Sequence, residues 1–183
     1  MKEEDYIVKR LNEVGLTPKD INYLICTHFD VDYAGNNELF KHAETIVQRV
    51  NYEPDKSGDP RLDLDKEHWY GYEFNYRVVD GDTTVMKGIG LIESSRHELG
   101  HQFVLIDLPN TGKVLSAIDA IPAHYLADPD TRMIMPTDIE EAGERASTKK
   151  LMDLVKNQKV KLVIHGHDMD HWSTLKHAPL YYD

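Results

Sequence analysis

The chain has 183 residues, with 21 Lys and Arg against 32 Asp and Glu, a formal net charge of −11 and a single cysteine, Cys26. That length can bury a sizeable core in one domain, whereas the acidic balance excludes a nucleic-acid role, which needs clustered Lys and Arg against phosphate. One thiol excludes an internal disulfide and fits a reducing, cytoplasmic setting. No apolar run approaches the roughly 20 residues that span a bilayer, and the acidic start Met-Lys-Glu-Glu-Asp lacks the apolar segment of a signal peptide.

Taken in order, Glu3 to Val14 reads as a helix, with Ile7, Val8, Leu11 and Val14 on one face, acidic residues in the first turn and Gly15 just past the end. Thr17-Pro18 opens a turn. Tyr23 to Cys26 is a short apolar run and reads as a buried strand. Glu38 to His42 reads as a brief helix and Thr45 to Gln48 as a second strand. Asn51 to Lys66, with two Pro, one Gly and many Asp, reads as a loop or insertion. Tyr76 to Val79, Val85 to Met86, Ile89 to Ile92, Phe103 to Asp107 and Val114 to Ala117 read as strands, separated by turn signals at Asp80-Gly81-Asp82 and Pro109-Asn110-Thr111-Gly112. Thr137-Asp138-Ile139-Glu140 fits a capping box that opens a helix to about Asn157, with Leu151, Leu154 and Val155 inward. Val160 to Ile164 is the last core strand. The mix of strands and helices is α/β or α+β, with no repeat and no composition shift that marks a domain boundary.

Chemistry-bearing residues gather just past strand ends. Thr27-His28-Phe29-Asp30-Val31-Asp32-Tyr33 follows the first strand, then Ala34-Gly35-Asn36-Asn37. His28, Asp30 and Asp32 would share one face if the strand geometry continued, because alternate side chains point the same way. His97 and His101 stand in Glu93-Ser94-Ser95-Arg96-His97-Glu98-Leu99-Gly100-His101-Gln102. Asp119 ends a strand, and His167 follows the last one in His165-Gly166-His167-Asp168. A lone His-x-Asp-x-Asp is often a solvated turn. An ordered set of imidazoles and carboxylates at successive strand ends is far more specific for a metal centre, since both groups ligate divalent cations.

These segments resemble the signature of the metallo-β-lactamase-fold hydrolases, His-x-His-x-Asp-His, and most closely its N-acyl-homoserine lactonase branch. The resemblance implies an αββα sandwich with one or two divalent metal ions, zinc first and iron or manganese next. His28, Asp30, Asp32, His97, Asp119 and His167 map to metal ligands, and Asp119 is the bridge between two ions. It implies a hydrolase that opens the lactone ring of a small-molecule ester by attack of a metal-bound hydroxide, with Asp32 beside the nucleophile passing a proton to the leaving oxygen.

The chain departs from the pattern in several places, among them the prolines and first glycine missing from the Glu93 to Gln102 segment. Asp30 stands where the family's second His stands, which keeps a ligand but adds charge and shifts preference toward iron or manganese. Tyr33 stands where its third His stands, and a neutral phenol is a poor ligand. Pro122 stands where the family has a substrate-facing tyrosine, leaving Tyr125 as the nearby candidate. Only 27 residues precede His28. The expectation is therefore a single domain over 1–183 that matches the C-terminal two-thirds of a full member, lacks most of the N-terminal sheet, and forms a homo-oligomer or meets a completing chain. The rival readings are a degenerate, weakly active or inactive member and, prompted by Asp30, a diiron redox protein. Among the remaining residues, His101, His165 and His171 read as supporting or surface groups, and Asp168 as a carboxylate that orients His167. Cys26 reads as packed, as do Trp69, Tyr70 and Tyr72.

Overall fold

The computed structural model describes residues 6–53, 66–71, 73–94, 99–135 and 140–183. His97, Tyr72 and the capping-box residue Thr137 lie outside them. The chain divides into two compact units, Met1–Val79 with Lys176–Tyr181, and Asp80–Leu175 with Tyr182–Asp183.

The first unit begins with α1 (Ile7–Glu13), closed by Gly15 at φ +77°, a left-handed position that glycine adopts without steric cost. The helix buries no residue, so its apolar positions do not form the core face their spacing suggests. Thr17 and Asp20 then cap a 3-10 turn over Pro18–Asp20 reciprocally. A parallel sheet follows in the order β1 (Tyr23–Ile25), β2 (Glu44–Gln48), β3 (Asn75–Val79), with Tyr23 opposite Glu44 and Glu44 opposite Asn75. Central β2 is buried from Thr45 to Gln48, as a strand flanked on both sides should be. Between β1 and β2 lie α2 (Val31–Ala34) and a 3-10 turn at Asn37–Phe40. The helical turn α3 (Arg49–Tyr52) follows β2, so the segment read as a loop from Asn51 starts as helix.

This unit's core is aromatic. Phe29 is 1% exposed and stacks on the fully buried Trp69, with ring centroids 4.0 Å apart and planes at 15°. Tyr76 meets Phe29 edge-on and donates its hydroxyl to the Trp69 carbonyl; burial raises the phenol's pKa above its ordinary value. Cys26 is buried, donates its thiol to the His28 carbonyl and accepts from the Asn37 amide, so it packs as expected.

The second unit holds five strands in sequential order: β4 (Thr83–Met86), β5 (Ile89–Glu93), β6 (Gln102–Leu108), β7 (Gly112–Ile118) and β8 (Leu162–His165). The first four pair antiparallel, and β8 joins β7 in parallel after the crossover helix α4 (Glu141–Asn157). The described helix is capped by Glu140, whose carboxylate accepts from the Gly143 N–H. Leu151 is buried under the sheet against a core that includes Phe103, Leu115 and Ile121, and Leu154 and Val155 pack at its margin, as their spacing suggests. A last helical turn, α5 (Met169–Trp172), is capped by Asp168. The architecture is mixed α/β with two sheets. Among the described residues, no helix is long and apolar enough to cross a membrane.

Candidate metal centre

Each unit carries some of the expected ligands near the end of a strand. In the first unit the chain leaves β1 extended through Asp30 and then turns helical: the Asp30 carbonyl accepts from the Tyr33 and Ala34 N–H groups at 2.9 and 2.8 Å. The strand alternation that would put His28, Asp30 and Asp32 on one face therefore stops at Asp30, and Asp32 sits in the first turn of α2, exposed. His28 and Asp30 keep their common direction. His28 is fully buried with its Nε2 3.7 Å from Asp30 Oδ2, and its Nδ1 lies 3.2 Å from the Thr27 hydroxyl, which fixes the ring's orientation. Tyr33 lies beside His28, with ring centroids 4.3 Å apart.

In the second unit the backbone bulges to present Asp119. The register of β7 against β8 shifts between Ser116 and Ile118, and Ile118 takes φ +50°. A β-branched residue there costs on the order of 1–3 kcal/mol, the kind of local strain that persists only where surrounding contacts impose it. Those contacts are visible: Gly166 N donates to the Ile118 carbonyl at 3.3 Å and His167 N to the Pro122 carbonyl at 2.9 Å. The result brings buried Asp119 to His167, with Oδ1 3.1 Å from Nε2.

Two ligands on one zinc, each about 2.0–2.1 Å from it at a tetrahedral angle, lie about 3.3 Å apart. The His28–Asp30 separation of 3.7 Å lies somewhat above that value and the Asp119–His167 separation of 3.1 Å somewhat below it, within hydrogen-bond reach, so both pairs are close enough to share a divalent cation. Each pairs an imidazole nitrogen with a carboxylate oxygen, a donor mix that suits zinc, iron or manganese.

The neighbouring histidines have structural partners. Asp168 is buried and its oxygens accept from His124 N and Nδ1, at 2.8 and 2.5 Å, and from His171 N at 2.9 Å. These hydrogen bonds, the two backbone donors first, hold its carboxyl well below the usual range. Asp168 thus ties the 122–124 segment to α5 and does not orient the His167 ring as its position beside that residue suggests. His165 gives its Nδ1 to the Ile121 carbonyl at 2.8 Å, and burial lowers its pKa. His101 is fully buried beside Phe103, and Tyr125 is 68% exposed with its ring edge-on to His124. The His124–Asp168 pairing, 44 residues apart, leaves no local mark in the sequence. The acidic residue directly after His167 is the signal that points to it.

The chain belongs to the metallo-beta-lactamase superfamily, whose family model matches residues 2–167. Its relatives make it a lactonase-like, metal-dependent hydrolase. It is 32% identical over 181 residues to the N-acyl homoserine lactonase of a Bacillus species, covering 99% of this chain and 69% of the relative. It is 30% identical over 187 residues to the N-acyl homoserine lactonase AttM of Rhizobium radiobacter, covering 96% and 68%. Among solved structures it superposes on an N-acyl homoserine lactone hydrolase that holds N-hexanoyl-L-homoserine at its catalytic metal centre, with a TM-score of 0.86, 29% identity, and coverage of 100% of this chain and 70% of that one.

Proposed function

We propose that this chain opens the lactone ring of an N-acyl homoserine lactone, with zinc at a two-ion centre. The observation that carries the reading is the Asp119–His167 pair, a carboxylate and an imidazole brought to 3.1 Å at the ends of two neighbouring strands by a bulged and strained turn. The lactonase relatives support the ester class of the substrate.

In this reading His28, Asp30, His97 and Asp119 would hold one ion, and Asp32, Asp119 and His167 the other. When bound, such ions acidify a water and polarise the ester carbonyl. The protein's own groups supply the rest. Asp119 has two carboxylate oxygens, so one residue can serve both positions. Thr27 orients the His28 ring, which is fully buried beside Tyr33. Asp32, on the exposed turn of α2, takes up the proton released as water adds to the carbonyl carbon and delivers it to the ring oxygen as the acyl–oxygen bond breaks. Tyr125, standing free of the core, contacts the substrate where the family's tyrosine is replaced by Pro122. Zinc is the preferred ion because three imidazoles take part, and the extra carboxylate of Asp30 widens tolerance toward manganese and iron.

Replacing Asp119→Ala removes bound zinc and ring opening together, read by elemental analysis and by proton release from the lactone. A variant that kept full turnover would overturn the reading.

A further inference from the structure

We infer that the buried Arg132–Glu144 pair is a clamp that sets the position of Asp119, and that Arg132 is a positioning residue for the metal centre. The inference rests on the reading of Asp119 as a ligand.

Arg132 lies 13 residues beyond Asp119, in the segment that precedes α4. It is 2% exposed, and Glu144, on the first turn of α4, is fully buried. The guanidinium Nη1 lies 3.0 Å from Glu144 Oε2 and donates at 2.6 Å to the Ala120 carbonyl and at 2.6 Å to the Thr148 hydroxyl. Ala120 is the residue after Asp119, and Ile118, the residue before it, is the one held at φ +50°. The turn that presents the carboxylate is therefore held on one side by Gly166 and on the other by a fully desolvated cation.

A buried ion pair is a poor device for stability, because taking both charges out of water offsets their attraction, and well-packed apolar residues of similar volume do as well or better. What an arginine supplies and apolar residues do not is a set of directed donors in a rigid fork. One of those donors is spent on the backbone next to Asp119. The helix beneath is built to hold the arrangement. Arg145, beside Glu144, donates to the Pro129 and Asp130 carbonyls at 2.8 and 3.1 Å and so fixes the loop that carries Arg132. Thr148 accepts from Arg132 while giving its own proton to the Glu144 carbonyl at 2.9 Å. Three residues of one helix thus act on a loop that makes a directed contact to the Ala120 carbonyl, next to Asp119. Supporting contacts of this kind, one residue removed from a ligand, set metal affinity by orienting what binds the ion.

The test replaces the pair by apolar residues of similar size, Arg132→Met with Glu144→Leu. Thr148→Val, which keeps the side chain's shape and removes only the hydroxyl partner, serves as the second variant. Two quantities are read on each full-length protein: the melting temperature after chelation, and zinc affinity by competition with a chelating dye. The double variant is expected to melt at or above the parent while its zinc affinity falls about 10–100-fold. Thr148→Val is expected to lower affinity in the same direction by a smaller factor and to lower melting by a few degrees, since a buried guanidinium donor loses that partner. A merely structural role would move melting and leave affinity. Parental zinc affinity in the folded double variant, or in Thr148→Val should the double variant not fold, overturns the clamp. Asp119→Asn in the same assay separates the two claims. If it binds zinc like the parent, the ligand reading fails. If it loses zinc while the double variant keeps it, only the clamp fails.

Discussion

Removing Trp69 tests whether the proposed ligands His28 and Asp30 depend on the aromatic core of the first unit. Trp69 has no exposed surface, and its ring lies 4.0 Å from that of Phe29, the residue between His28 and Asp30. Its carbonyl is also the acceptor for the Tyr76 hydroxyl. With full burial the whole truncation penalty applies: Trp→Ala in a core costs about 3–5 kcal/mol, of which the stacked pair accounts for roughly 0.5–1.5 kcal/mol. For a chain of this size a loss of 1 kcal/mol lowers the melting temperature by about 2–4 °C, so Trp69→Ala should lower it by roughly 6–20 °C. Trp69→Phe keeps a ring against Phe29 and should lose less. Phe29 can turn into the space left in the Ala variant, which carries His28 and Asp30 with it, so zinc affinity should fall alongside melting. Thermal melting by circular dichroism and a zinc titration read both. A drop of under about 2 °C with parental zinc affinity would refute the reasoning, because a fully buried, stacked tryptophan would then be holding nothing.

Tyr33→His returns an imidazole beside His28, where the phenol ring now lies. The substitution is expected to raise zinc occupancy and to raise kcat about 10-fold or more, measured by elemental analysis and lactone turnover; unchanged values would mean that the second ion is held without this position. Thr17→Ala removes both the hydroxyl donor to Asp20 and the reciprocal cap of the first 3-10 turn. The Thr17 hydroxyl and N–H together hold the Asp20 pKa below its ordinary value of 3.8. A depressed folded pKa contributes stability that is present above the unfolded value and lost as pH falls through the folded one. The melting difference between parent and Thr17→Ala should therefore be largest near neutral pH and shrink below about pH 4. A difference that stays constant to pH 3 would contradict this.

Much of this fold is legible in the residues. The apolar runs at Thr45 to Gln48, Phe103 to Asp107 and Val114 to Ala117 become strands because each is short, bounded by turn residues and buried. Asp119 and His167 are legible as a pair of strand-end groups, and the parallel ladder between β7 and β8 brings those ends together. Other features are not. Alternation past β1 extends to Asp32 on paper, but the Asp30 carbonyl captures two N–H groups and starts a helical turn, a local competition that a hydrophobic pattern does not register. The amphipathic face of α1 is real in sequence, yet the helix buries none of it. The φ of Ile118 runs against the preference of its side chain, since tertiary contacts impose it. Arg132 and Glu144 look like ordinary surface charges until the loop and the helix between them place one against the other.

The most direct test of the account follows ring opening of an N-acyl homoserine lactone by proton release, on a sample whose zinc content is measured at the same time. About two zinc ions per chain are expected, with turnover that chelation abolishes and added zinc restores. A folded chain that holds two zinc ions and leaves the lactone intact would contradict it.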